Sequence, residues 1–351
     1  MNPFRLAAIA MLFATQIAFA QPPKGPPDLP IDAATRSAVV EQLAHELDTR
    51  YVDVARGAAL ARTLRERMRA QGYDAITSSA ALAERLNADL EADSHDKHLH
   101  VDYSPDVFPL AIADAKTDPE QAAFELARMK RVNYGFDSVQ RLPFNIGYFK
   151  LDLLLPPAET EARFAAAMTL QQDTHALIID LRENRGGDPA TVALLCSYLF
   201  DQRTHLNDIW HRASGRTDEA WTSDKVAGPH YGAQREIMVL TSHETFSAGE
   251  DLAYALKTLH RATLIGEATG GGAHPGDMRR IGDHFAAFIP DSRSISPITH
   301  ADWEGVGVAP DVAVAADKAL VEARKRLMAS FAASEKNPRA RAHLQEEIDR
   351  L

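Results

Sequence analysis

A chain of 351 residues with 38 basic against 49 acidic side chains, formal net charge -11, is a poor match for nucleic acid or an anionic membrane as its main partner. Its one cysteine, Cys196, excludes an internal disulfide, so stability has to come from buried apolar surface, with Cys196 as a buried core residue. The length suffices for one large core and a smaller one.

The chain opens "MNPFRLAAIAMLFATQIAFAQ", with Arg5 ahead of an apolar run that closes on "AFA" at 18–20. That is the layout of a secretory signal, residues 1–20, cut after Ala20, and the run falls short of the about 20 residues a membrane span needs. The expected product is exported, periplasmic or secreted, without stable membrane insertion. Residues 21–30, "QPPKGPPDLP", hold five prolines and read as an extended leader.

From 31 the rhythm is helical: Val39, Leu43, Leu47 and Tyr51 step by four, then Leu60, Leu64 and Met68, then Leu82, Leu86 and Leu90. Gly57 and Gly72 punctuate the runs, which predicts a small helical bundle within a domain spanning 31–104. That domain closes on "HLHVDY", where Leu99, Val101 and Tyr103 alternate with His98, His100 and Asp102 as on a half-buried strand. An α/β core over 105–330 follows. It starts with the helix "DPEQAAFELARMK", the strand "NIGYFKLDLL" and the helix "TEARFAAAMTLQQ". The buried strands "HALIIDL" and "EIMVLTS" then each run through a polar turn into a helix, which indicates βαβ units and a partly parallel sheet. The turns "RENRGGD" and "SHETFSAGE" sit at strand carboxyl ends, where such sheets gather their chemistry. Residues 205–232, polar and without periodicity, read as a mobile lid lining a pocket with "ATGGGAHPGD". Residues 331–351 read as an exposed charged helix.

Ser247 precedes the helix "AGEDLAYALKTLHRA", and with Glu250 it matches a capping box. The same position suits a nucleophile, because free N–H groups and the helix dipole favour negative charge there. Ala248 N–H is then one oxyanion donor, and Gly186 or Gly187 supplies another by letting backbone approach a substrate. Asp180 and Glu183 are read as setting loop geometry.

Three blocks in order, "LIIDLRENRGGDP", "LTSHETFSAGEDLAYALKTLHRATLIGEATGGG" and "WEGVGVAPDV", resemble the core of the S41 serine peptidases, and the helices followed by "DKHLHVDYSP" resemble the branch of interphotoreceptor retinoid-binding protein. The resemblance implies a sheet and helix core similar to crotonase and Clp protease, with Ser247 as nucleophile and oxyanion donors around Gly186, Gly187 and Ala248. Processing proteases of this family place a lysine base in the stretch that reads "GEATGGGAHPG" here, without lysine; Lys150 would have to reach in from elsewhere, and Lys257 lies about 15 Å along the helix. Pro105 to Asn145 is too short for their PDZ domain. By the same resemblance the base is His98, two residues after Asp96, and the orienter is Glu304; His274 and His284 are alternative bases. His95, His98 and His100 lack a further metal-ligand pattern, so neither a metal nor an organic cofactor is expected. The implied function is an exported serine peptidase acting on peptide or protein. The alternatives are a carrier of an apolar ligand on the same fold and an esterase or amidase.

Overall fold

The computed structural model describes residues 27–109 and 119–351, so the expected signal sequence and most of the proline-rich leader lie outside the described residues. Three helices come first, α1 (Ala33–Arg50), α2 (Val54–Arg69) and α3 (Ser79–Ser94), started by Asp32, Asp53 and Ser78, each of whose side chains accepts a first-turn N–H. Their four-residue periodicity is realised as a core in which Leu43, Leu47, Leu64, Leu82 and Leu86 are fully buried. Gly57 permits the α1–α2 crossing, since a Cβ there would stand 2.4 Å from the Leu47 carbonyl oxygen.

Strand β1 (His100–Tyr103) follows the bundle, and then α4 (Pro119–Arg131), β2 (Phe136–Leu142), β3 (Ile146–Leu151), α5 (Pro157–Gln171), β4 (Ala176–Asp180) and α6 (Pro189–Leu199). Next come the short strands β5 (Asp208–His211) and β6 (Thr217–Asp218), β7 (Glu236–Thr241), α7 (Ala248–Thr258) and β8 (Thr263–Gly266). The chain closes with β9 (Gly276–Gly282), β10 (Phe285–Pro290), β11 (Ser292–Ile295), β12 (Val312–Ala313), α8 (Ala319–Ser334) and α9 (Pro338–Arg350). The central sheet has the order β12-β8-β7-β4-β3-β2, parallel from β12 to β3, with β2 antiparallel at the edge. Alternation of buried strands with helices therefore produced the βαβ core it predicts, and no further domain separates β1 from β3 among the described residues.

One face of the sheet packs on α5, α6 and α7, with Cys196 inside this larger core; the other face packs on α8 and α9. The last helix is thus not simply exposed: Leu344 is buried and Ile348 and Leu351 pack on the same core. The bundle in turn is continuous with the sheet β1-β10-β9, because Val101, Ile281, Phe285, Ala287 and Ile289 share one apolar cluster with the helices.

The expected lid is also structured. Residues 205–232 contribute β5 and β6 to a sheet with β11, and the His205 ring stacks on Trp221 at 4.2 Å between centroids while Arg203 lies over the same indole. Asn207 Nδ2 donates to Asp251 Oδ1 at 2.6 Å, tying the segment to α7. Pairing partners distant in sequence supply the order that local periodicity did not show. No helix among the described residues is long and apolar enough to cross a membrane.

Candidate active site

Ser247 stands at the sharp turn from β7 into α7 with φ 54° and ψ -123°, a conformation that costs energy for a side chain with a Cβ and that recurs at functional turns. The capping-box pairing is present, with Glu250 Oε2 accepting the Ser247 N–H at 2.9 Å, yet the Ser247 hydroxyl itself makes no cap hydrogen bond. Capping rests largely on the backbone of Ser247, whose carbonyl oxygen accepts the Glu250 and Asp251 N–H groups at 2.9 and 3.0 Å.

The glycine turn of "RENRGGD" packs directly against this serine: a Cβ at Gly186, whose φ is +96°, would stand 2.6 Å from Ser247 Cβ. Asn184 holds the two turns together. It is fully buried, its Oδ1 accepts the Gly186 N–H at 2.9 Å, its Nδ2 donates to Leu151 O, and its backbone oxygen accepts the Phe246 N–H. The Gly186 N–H is thus engaged by a side chain, and its expected part as an oxyanion donor is corrected accordingly. Gly187 bridges to Leu154 through its neighbours, Leu154 N–H to Gly186 O and Asp188 N–H to Leu154 O, so its own N–H stays outside that ladder. The Gly187 and Ala248 N–H groups make no backbone hydrogen bond among the described residues.

Glu250 is a second residue whose part exceeds the sequence reading. Wholly buried, it accepts from Ser247 N–H, the Thr269 hydroxyl, Gly271 N–H and Gly272 N–H, which fastens the loop 269–272 to the start of α7. Burial raises its pKa, and these four donors act in the opposite direction. The capping-box spacing was the visible signal for it; for Asn184 the only signal was an amide two residues ahead of a glycine pair after a strand.

His98 lies on the turn before β1, not on the strand as its alternation with Leu99 suggests. Asp96 makes that turn: its Oδ1 accepts the His98 N–H at 2.9 Å and its Oδ2 the Tyr51 hydroxyl at 2.8 Å. The imidazole packs 4.5 Å from the ring of Phe246, the residue before Ser247 in the chain, and against Gly272, where a Cβ would meet His98 Cε1 at 2.6 Å. Burial lowers the His98 pKa to about 4, so the ring is neutral and able to accept a proton; its Nδ1 is buried without a hydrogen-bond partner.

Glu304 arrives on the loop after β11, fixed by Trp303, whose indole N–H donates to Gly272 O at 2.9 Å. Its Oε2 accepts the Ala273 N–H at 2.6 Å and lies 3.6 Å from His274 Nδ1. Burial, followed by the nearby Asp96 charge, pushes its pKa up to about 8. Since His98 Nδ1 has no partner, the hydrogen bond expected between His98 and Glu304 is not made; the carboxylate lies nearest to His274, beyond hydrogen-bond distance of its Nδ1.

The other expected candidates separate clearly. His284 lies at the β9–β10 turn with Nδ1 3.1 Å from Ser104 O, at the end of β1 opposite to His98. Lys150 pairs with Glu183 at 3.0 Å and Lys257 with Asp311 at 3.2 Å, so neither serves Ser247. Asp180 is buried under Arg182 and the Tyr148 hydroxyl, as a structural residue should be. Beside Phe246 opens a pocket of about 370 Å³ lined by Lys97, Arg185, His243, Glu244, Phe246 and Gly270. Of the stretches expected to line it, only Gly270 does.

Comparisons with known proteins agree with this architecture. Residues 145–314 match the model of peptidase family S41, and residues 33–130 match the N-terminal domain of S41 peptidases in eukaryotic IRBP. Carboxyl-terminal-processing peptidase 3 of Arabidopsis thaliana chloroplasts is 29% identical over 174 residues, 47% of this chain and 31% of that protein. The carboxyl-terminal-processing protease of a Synechocystis strain is 27% identical over 170 residues, 48% of this chain and 38% of that protein. The matched part thus spans about a third of these relatives. Among solved structures, a lipoprotein from Streptococcus agalactiae superposes with a TM-score of 0.58 over 85% of this chain and 98% of its own, at 13% identity. The photosystem II D1 C-terminal processing protease gives 0.51 over 82% and 94%, at 17% identity; both likenesses concern the fold. With the helical bundle, the mixed sheet and the serine turn all in their places, the chain belongs to peptidase family S41.

Proposed function

We propose that this chain is an exported serine peptidase that hydrolyses peptide bonds through an acyl-enzyme on Ser247. The observation that carries the reading is Ser247 itself: a strained backbone at a helix N-terminus, with its side chain packed against a glycine turn. In the proposed reaction Ser247 Oγ attacks the scissile carbonyl carbon while His98, held neutral by burial, takes the hydroxyl proton. The oxyanion receives the N–H groups of Gly187 and Ala248. Collapse of the tetrahedral species breaks the C–N bond, and His98 returns the proton to the leaving amine; water then attacks the ester by the same route and frees Ser247. Glu304 acts as the positioning residue once substrate closure brings its carboxylate to His98 Nδ1, since such hydrogen bonds commonly tighten only in the bound state.

A role as carrier of an apolar ligand fits less well, because the pocket beside Phe246 is lined largely by charged and polar side chains. An esterase or amidase would use the same residues, and a peptide library distinguishes it. Export rests on the N-terminal sequence and is checked by N-terminal sequencing of protein recovered outside the cytoplasm.

The decisive experiment is fluorophosphonate labelling of wild type, Ser247→Ala and His98→Ala, with the adduct located by mass spectrometry. A single adduct on Ser247, absent in Ser247→Ala and slowed at least about 100-fold in His98→Ala, is the expected result. Folded wild-type protein without an adduct would leave Ser247 as a helix cap only.

A further inference from the structure

We propose that Asp96, His274 and Glu304 form a divalent-cation site suited to Zn2+, and that its occupation is a reversible brake on Ser247. Three segments distant in sequence deliver these side chains to the junction of bundle and core, and one ligand atom from each lies within 4.8 Å of the other two. The 3.6 Å between His274 Nδ1 and Glu304 Oε2 is too long for a hydrogen bond and close to the about 3.3 Å that separates neighbouring ligands on a tetrahedral ion with bonds near 2.0–2.1 Å.

The donors are prepared for a cation. His274 Nδ1 is buried and has no hydrogen-bond partner, so its lone pair is free toward the carboxylates. Asp96, 2% exposed, accepts one hydrogen bond on each oxygen, from Tyr51 and from His98 N–H, and a carboxylate oxygen has a second acceptor direction. Ala273 N–H fixes Glu304 in the same way. Such outer partners orient metal ligands in known sites. Asp96 and the largely buried Glu304 repel when both are ionised, and a divalent ion neutralises both; the nearby Arg293 is committed to Asp302 at 2.9 Å and Arg56 to the Ser94 carbonyl. One imidazole and two carboxylates suit a borderline ion such as Zn2+, and three protein ligands leave a position for water, which makes the ion exchangeable.

The site is distinct from the run His95, His98, His100. Among the described residues those three form no such group: His95 caps α3 at the surface, and His100 stacks on Phe288 with its Nδ1 on His98 O. The brake rests on the proposed function. An ion that holds Glu304 and Asp96 denies His98 its orienter and stiffens the turn that carries it.

The test uses the full chain in chelator-treated buffer. Zn2+ affinity is measured by competition with a chromophoric chelator for wild type, His274→Ala, Glu304→Gln and Ser247→Ala, and Co2+ is added to read its visible absorption. One Zn2+ per chain, a tetrahedral Co2+ spectrum, unchanged affinity in Ser247→Ala and at least a tenfold loss in both ligand variants are expected, with unchanged circular dichroism. Equal affinity in wild type and both ligand variants, or no binding, overturns the site. Fluorophosphonate labelling of Ser247 is followed in parallel: slowing by Zn2+ with recovery on chelation supports the brake, and labelling indifferent to bound Zn2+ overturns it. Metal binding with no labelling even after chelation sinks the serine-peptidase reading and the brake with it, while the cation site stands.

Discussion

Glu304 and His98 are displaced in opposite directions by the same cause, burial, and this sets a pH signature. His98 stays neutral down to about 4, so base availability does not limit acylation at ordinary pH, whereas Glu304, with its pKa at about 8, becomes an orienting carboxylate only near that pH. The labelling rate of Ser247 is therefore expected to rise with pH through about 8, without a limb near the ordinary histidine value, and Glu304→Gln should remove the limb. A limb near 6.5 in wild type would contradict the assignment. Stability follows with its own sign. Glu304 has a folded pKa above its unfolded one, so its favourable contribution is full below about 4.5 and lost as pH rises through about 8. In urea titrations Glu304→Gln should match wild type at low pH and exceed it above pH 8, since the amide oxygen can still accept from Ala273 N–H.

At the scale of elements, the site depends on how the loop 269–272 is held against α7. Glu250 gathers four donors there, and replacing it with glutamine leaves at least one buried N–H facing the amide NH2, itself a donor. Glu250→Gln should cost about 2–4 kcal/mol in chemical unfolding, the range for one or two stranded buried donors. A loss within 0.5 kcal/mol would show that the loop is held by something else. Gly272 tests the same contact by crowding: a Cβ there would stand 2.4 Å from Phe246 ring carbons and 2.6 Å from His98 Cε1. Rigid rings cannot absorb that, so Gly272→Ala should slow Ser247 labelling at least tenfold while costing about 1–3 kcal/mol of stability. Labelling at the wild-type rate would place His98 outside the reaction.

For the whole molecule, the helical bundle and the late hairpin β9–β10 form one folding unit. Ile281, Phe285 and Ile289 bury against α1 to α3, each worth about 1.5–3 kcal/mol, so removing the bundle exposes surface comparable in free energy to much of a domain's stability. A chain starting at residue 105 should show no cooperative thermal transition by circular dichroism. A sharp melt would mean that the α/β core stands alone. The same unit delivers Asp96 and His98 to the core, and Arg212 adds hydrogen bonds from the β5 region to the Tyr51 and Asp48 carbonyls.

The sequence by itself determined the helical bundle, the βαβ core, the family and the serine turn. Each of these is written in short-range terms: four-residue spacing in Leu43 and Leu47, strand runs ending in polar turns, and the three-residue spacing of Ser247 and Glu250. Only the tertiary structure decided that the Gly186 N–H is taken by Asn184, that residues 205–232 form a sheet, that His284 is remote, and that Glu304 sits with His274 and Asp96. Those outcomes depend on contacts between segments up to roughly two hundred residues apart. Periodicity and spacing report which face of an element is buried, but carry no information about which distant side chain will meet it there.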